Sequence, residues 1–123
     1  MANKKIVLFI DDSPMDRTFI SKLLIKYNFD VLLAEDGTIG MKMARERKVD
    51  IILLDILLPH ISGIELCKDL KKDPLTRHIP VIFYTSLDTP KHLMDYASYG
   101  ARDYIQKNMP PQELMASIRS ILE

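Results

Sequence analysis

The 123 residues carry no excess of charge, because 17 Lys+Arg stand against 17 Asp+Glu and the formal net charge at pH 7 is zero. Without a surplus of cations, direct binding to nucleic acid or to an acidic membrane surface is not expected, since both draw on clustered Lys and Arg. Long apolar runs are missing as well. The run Ile51–Leu54 is typical of the longest, far short of the ~20 apolar residues a membrane-spanning helix needs. Cys67 is the single cysteine, so no internal disulfide can form and a reducing, cytoplasmic location is expected. The opening Met-Ala-Asn-Lys-Lys enters a strand-like run with no small-residue cleavage site, which predicts no secretory signal. Repeats, low-complexity tracts and Gly/Ser linkers are absent, so residues 1–123 read as one domain. Neither a Gly-x-x-x-x-Gly-Lys-Ser/Thr loop nor a Gly-x-Gly-x-x-Gly turn occurs, and nucleotide binding has no support.

What the chain does have is a strict alternation of short apolar runs and amphipathic stretches. Lys5–Ile10 is rich in β-formers and too short for a helix. Ser13 is placed to cap a helix with Pro14 at its first position and Asp16 in its first turn, and Ile20, Leu23, Leu24 and Tyr27 lie on one face of it. Asp30–Ala34 reads as a second strand, Asp36-Gly37 as a turn, and Thr38–Arg47 as a weaker helix interrupted by Gly40. Asp50–Leu54 is continuously apolar after its first residue, as expected of a strand buried on both faces. The loop Pro59–Gly63 leads to a helix that Asp73-Pro74 stops near Lys72. A fourth strand at Val81–Tyr84 precedes a helix from about Pro90 to Tyr99 with Gly100 as its C-terminal cap. Asp103–Gln106 is a fifth strand, and Pro110-Pro111 opens a last helix with Leu114, Ile118 and Leu122 inward. Five β-α units of this kind imply an α/β fold, a parallel sheet with right-handed crossovers and helices on both faces.

Sites in open α/β sheets lie at the carboxyl ends of the strands. There the sequence puts Asp11 and Asp12 after the first strand, Asp55 after the third, Thr85 and Ser86 after the fourth, and Lys107 after the fifth. Taken singly, each has a plainer reading, as a turn residue, a cap or a solvated lysine. Together they are informative, because all fall at carboxyl ends. If strands one and three are neighbours, the three carboxylates converge and repel one another. A hard cation with oxygen ligands, Mg²⁺ above all, relieves that repulsion.

Four segments carry a family resemblance: Ile6-Val-Leu-Phe-Ile-Asp-Asp-Ser-Pro14, Asp55-Ile-Leu-Leu-Pro-His-Ile-Ser-Gly63, Pro80-Val-Ile-Phe-Tyr-Thr-Ser86 and Gly100-Ala-Arg-Asp-Tyr-Ile-Gln-Lys107. Over essentially its whole length the sequence resembles the receiver domain of bacterial two-component response regulators. The resemblance implies a flavodoxin-like, doubly wound sheet of order 2-1-3-4-5. It implies a signalling domain in a phosphorelay that is phosphorylated, and not a turnover enzyme. Asp55 would be the phosphoacceptor, taking a phosphoryl group from a sensor histidine kinase or a histidine phosphotransfer domain. Asp11, Asp12, Asp55 and the backbone carbonyl of Leu57 would hold Mg²⁺, with Mn²⁺ able to substitute. Lys107 and Thr85 would bind the phosphoryl oxygens, and Tyr104 would turn inward behind Thr85. Switching would reshape the face made by the helices at 90–99 and 110–122 and the strand between them, and a dimer through that face is one assembly the resemblance implies. A downstream protein target or an attached output domain is the other kind of partner. The chain ends where the last helix of such a domain ends, so it is either stand-alone or excised from a longer regulator.

Two features depart from the family's usual pattern or tune it. Asn108 follows Lys107 where a proline, often with a cis bond, is common, and a trans bond is expected because a non-proline cis bond costs roughly 3 kcal/mol. Leu57 and Leu87 occupy two positions that set phosphoryl lifetime in the family, and neither can hydrogen-bond an attacking water, which predicts slow decay. Met15 and Phe19 share a stripe of the first helix, read either as peripheral core or as a docking face for the phosphodonor; Tyr96 and Tyr99 pose the same alternative. His60, His78 and His92 are too scattered for a transition-metal site, Cys67 reads as core, and the Gly37-Thr-Ile-Gly40 match to an RNA-binding loop lacks basic neighbours. Two rivals remain at this level: a receiver-like interaction module that is never phosphorylated, and a metal-dependent aspartyl-phosphate phosphatase, for whose cap the chain has no room.

Overall fold

In the computed structural model, which describes residues 4–87 and 95–123, burial on both faces of the central strands decides the architecture. Strand β1 (Ile6–Ile10) sends Val7 and Phe9 to one side and Leu8 and Ile10 to the other, and all four are fully buried. It is followed by α1 (Pro14–Lys26), β2 (Asp30–Ala34), α2 (Gly37–Glu46), β3 (Ile51–Leu54) and α3 (Gly63–Lys72). Then come β4 (Val81–Thr85), a 3-10 turn over Tyr96–Tyr99, β5 (Asp103–Gln106) and α4 (Pro111–Leu122). The strands form one five-stranded parallel sheet in the order β2-β1-β3-β4-β5. Val7, Phe9, Ile51, Leu53 and Ile82 pack under α1 and α4 around Ile20, Leu24, Leu114 and Ile118. Leu8, Ile10, Ile52, Leu54 and Phe83 pack on the opposite face with Ala44, Leu66, Cys67 and Leu70. A sheet covered on both faces must bury continuous apolar strands, and β3 and β4 are buried at every position.

The helix starts follow from capping. Ser13 Oγ accepts the Asp16 N–H at 3.2 Å, with Pro14 at the first helical position, as its sequence predicts. Asp36 and Gly37 do not form a separate turn: Asp36 Oδ1 accepts the Ile39 N–H at 2.8 Å, and α2 begins at Gly37. Gly40 does not interrupt α2 either. A Cβ at Gly40 would lie 2.5 Å from Ile10 Cδ1, so its missing side chain is what lets α2 close on the sheet. The same packing accounts for the Gly37-Thr-Ile-Gly40 spacing, since a Cβ at Gly37 would meet Ile61 at 2.7 Å. Gly100 ends the 3-10 turn at φ 98°, a left-handed value suited to glycine. The expected helix from Pro90 lies, through residue 94 and including His92, outside the described residues. Among the described residues no helix is long and apolar enough to cross a membrane.

Candidate functional site

The register of β1 and β3 brings the first two carboxylates level. Ile10 pairs with Leu54, so the next residues, Asp11 and Asp55, leave adjacent strands side by side, and the Asp55 N–H donates to the Ile10 carbonyl at 3.1 Å. Asp11 has no exposed surface and Asp55 is 4% exposed, whereas Asp12 is exposed. One carboxylate oxygen from each of Asp11, Asp12 and Asp55 lies within 4.8 Å of the others. Like charges at that separation repel by roughly 3 kcal/mol per pair at an effective dielectric near 20. The donor set is all oxygen, and Asp12 faces solvent, where water can complete a coordination shell. These groups fit a hard divalent ion.

Lys107 is the local counter-charge. It follows β5, and its backbone N–H donates to the Thr85 carbonyl at 2.8 Å, which carries the side chain across the end of β4 toward the carboxylates. Its Nζ donates to Asp11 Oδ2 at 2.6 Å, Asp16 Oδ2 at 2.7 Å and Asp55 Oδ2 at 3.1 Å. Burial alone would lower the Lys107 pKa, but these hydrogen bonds and the charge of Asp55 outweigh it and hold the ammonium above the usual lysine range. For Asp11 the balance is opposite: burial raises its pKa, and the hydrogen bonds from Lys107 and from the Ser13 N–H at 2.8 Å offset this only in part. Every peptide bond among the described residues is trans, the one joining Lys107 to Asn108 included.

Thr85 and Tyr104 meet at one backbone unit. Thr85 is fully buried and its Oγ1 accepts the Leu87 N–H at 3.4 Å, while the Tyr104 hydroxyl donates to the Leu87 carbonyl at 2.5 Å. Tyr104 is already inside, 8% exposed, with its ring edge-on to Phe83. Asp55 Oδ1 accepts the Leu57 N–H at 3.2 Å, and the Leu57 side chain points outward, 51% exposed.

The site residues expected from the strand ends thus gather at one end of the sheet. Met15 and Phe19 stand apart from the core, 82% and 54% exposed, beside a shallow groove lined by Pro14, Thr18 and Lys22; peripheral core does not describe them. Tyr96 and Tyr99 pack against the core instead. Cys67 is buried as expected, and His60 and His78 are exposed. A roomier groove between α2 and α3, about 630 Å³ and lined in part by Met41, Ile61 and Leu66, includes none of Asp11, Asp12 and Asp55. Asp16 is a site residue that the strand ends do not predict. Its only sequence signal is a position one helical turn beyond Asp11-Asp12, and its partner lies 91 residues away.

The same fold recurs in known proteins. The profile of the response regulator receiver domain matches residues 7–119. Protein PilH of Pseudomonas aeruginosa is 35% identical over 116 residues, covering 94% of this chain and 96% of that protein. Other curated relatives are longer, and the chain spans 52% of one and 9% of another. Among solved structures, the BeF3-activated N-terminal receiver domain of RstA from Klebsiella pneumoniae is 36% identical, with a TM-score of 0.87 over 97% of this chain and 99% of that one. The response regulator TrrA of Thermotoga maritima, in complex with Mg²⁺-BeF, is 26% identical, with a TM-score of 0.86 over 96% of this chain and 99% of that one.

Proposed function

The chain belongs to the response regulator receiver domain family, and from that membership we propose that it is a phosphorelay switch whose phosphoacceptor is Asp55. A phosphohistidine on a histidine kinase or phosphotransfer domain is the donor. A carboxylate oxygen of Asp55 attacks phosphorus, the P–N bond breaks, and the imidazole leaves with the electron pair and takes up a proton. The product is an acyl phosphate on Asp55. The observation that carries this reading is the convergence on Lys107 Nζ of two buried carboxylates, Asp11 at 2.6 Å and Asp55 at 3.1 Å.

Asp11, Asp12, Asp55 and the Leu57 carbonyl would hold Mg²⁺ or Mn²⁺. When bound, the ion supplies the charge neutralisation that lets an anionic nucleophile approach an anionic phosphoryl group. Lys107 pairs with a phosphoryl oxygen as a compact point charge. Thr85, whose hydroxyl now accepts from the Leu87 N–H, turns to donate to another. Because Tyr104 holds the carbonyl of that same Leu87, movement of Thr85 reaches the β5 face, through which a downstream target or a second copy would be engaged. Met15 and Phe19, exposed on the helix that bears Asp16, offer an apolar footing for the donor. The setting is the cytoplasm.

Incubation with Mg²⁺ and acetyl phosphate, followed by intact mass, tests the proposal. The expected result is a gain of one phosphoryl group that is lost with EDTA and in Asp55→Asn. A gain that persists in Asp55→Asn, or no gain at all, overturns it. Leu57 and Leu87 leave an attacking water without a hydrogen-bonding side chain, so the label should decay slowly and Leu57→Asn should speed its loss. A label that vanishes rapidly and equally in both proteins contradicts that part.

A further inference from the structure

An ammonium has three N–H donors, and all those of Lys107 are in use, on Asp11, Asp16 and Asp55. Two of those carboxylates are also claimed by the proposed cation, because Asp11 and Asp55 belong to the group of three whose oxygens lie within 4.8 Å of one another. Asp16 is outside that group. Asp11 and Asp55, if they held a divalent ion, would have their oxygens committed to it, and its charge would repel the ammonium beside them. The carboxylate then left to Lys107 is the one on α1. Asp16 is firmly placed to keep it, since its backbone N–H is bonded to the Ser13 cap, and the next residue, Arg17, donates to the Asp11 carbonyl at 2.7 Å. The first turn of α1 is therefore fixed to the end of β1, and the Lys107 side chain is 15% exposed where it reaches across.

Building on the reading above, we propose that Asp16 is a positioning residue that retains the Lys107 ammonium beside Asp55 when the metal occupies the carboxylates, so that a donor N–H faces the incoming phosphoryl oxygen. Asp16 touches neither metal nor phosphoryl group in this scheme. It acts through Lys107, and its value lies in geometry: its side chain is 39% exposed, and an ion pair so open to water adds little to stability.

The test compares wild type with Asp16→Asn, Asp16→Ala and Asp16→Glu in the full chain, using Mg²⁺ and acetyl phosphate. Asp16→Asn and Asp16→Ala should lower the saturating phosphorylation rate by roughly 10- to 100-fold, the range for a displaced catalytic group. Half-saturating concentrations of Mg²⁺ and donor should change by less than about threefold, because neither contacts Asp16. Asp16→Glu should recover part of the rate. Unchanged saturating rates in Asp16→Ala overturn the proposal, as does a loss confined to the Mg²⁺ half-saturation. A second readout needs no phosphoryl transfer. In Mg²⁺-loaded protein the Lys107 NζH₃⁺ resonance should be protected from exchange in wild type and lost in Asp16→Ala; equal protection in both overturns the inference. If wild type takes up no phosphoryl group, the phosphorelay reading fails, while the ammonium measurement still decides the role of Asp16.

Discussion

Cys67 is enclosed in the core beneath α3, where its thiol donates to the Tyr99 carbonyl at 3.3 Å. Burial pushes the thiol pKa up to about 11, from an ordinary value of 9.0, and nearby Lys71 opposes this only weakly. A group whose folded pKa is raised contributes stability that is complete below its unfolded pKa and is lost as pH rises through the folded value. Between pH 9 and 11 the wild type should therefore lose roughly 2 kcal/mol more stability than Cys67→Ala, measured by urea unfolding at each pH. Parallel stability curves for the two proteins contradict this. The thiol is legible in sequence as core because Leu66 and Leu70 flank it on the same helix. Asp16 is not legible in the same way. Its neighbours in sequence announce a helix start, and only the return of the chain after β5 brings it a cation.

Two glycines decide how closely the elements approach the site. A Cβ on Gly63 would sit 2.1 Å from the Asp55 carbonyl oxygen and 2.7 Å from Ile56 Cα, both backbone atoms that cannot rotate aside. A Cβ on Gly40 would instead meet side-chain atoms of Ile10, Cδ1 at 2.5 Å and Cγ1 at 2.8 Å, and leave the backbone at Asp55 untouched. Gly63→Ala should thus cost at least the 1–3 kcal/mol typical of overpacking and move Asp55, abolishing most phosphorylation, whereas Gly40→Ala should cost stability with phosphorylation largely kept. Thermal melts with the acetyl phosphate assay separate the two, and equal loss of phosphorylation in both refutes the distinction. Strands and most helices are readable because burial on both faces imposes continuous apolar runs and helices carry caps. The start of α2 differs from its sequence expectation for a physical reason: Asp-Gly serves equally as a turn and as a cap with its first helical residue, and only packing on Ile10 distinguishes them. The strand order also lies beyond periodicity alone and comes from resemblance.

For the molecule as a whole, zero net charge conceals a local imbalance. Asp11, Asp12, Asp16 and Asp55 share one end of the sheet with Lys107. A ligand that relieves this imbalance only in the folded state must stabilise it. Mg²⁺ at about 100 times its Kd should add roughly 2.7 kcal/mol to the unfolding free energy, and Asp12→Asn should reduce that gain, as urea titrations with Mg²⁺ or EDTA will measure. No response to Mg²⁺ in the wild type counts against the cation site. The strand order has a further consequence, for the order of assembly. With β1 between β2 and β3, Asp11 and Asp55 leave strands that pair with each other, whereas Lys107 follows β5, the last strand to be made and an edge of the sheet. Domains generally fold as units, so a chain emerging from the ribosome should bring the acidic pair and its counter-charge together only once β5 has appeared.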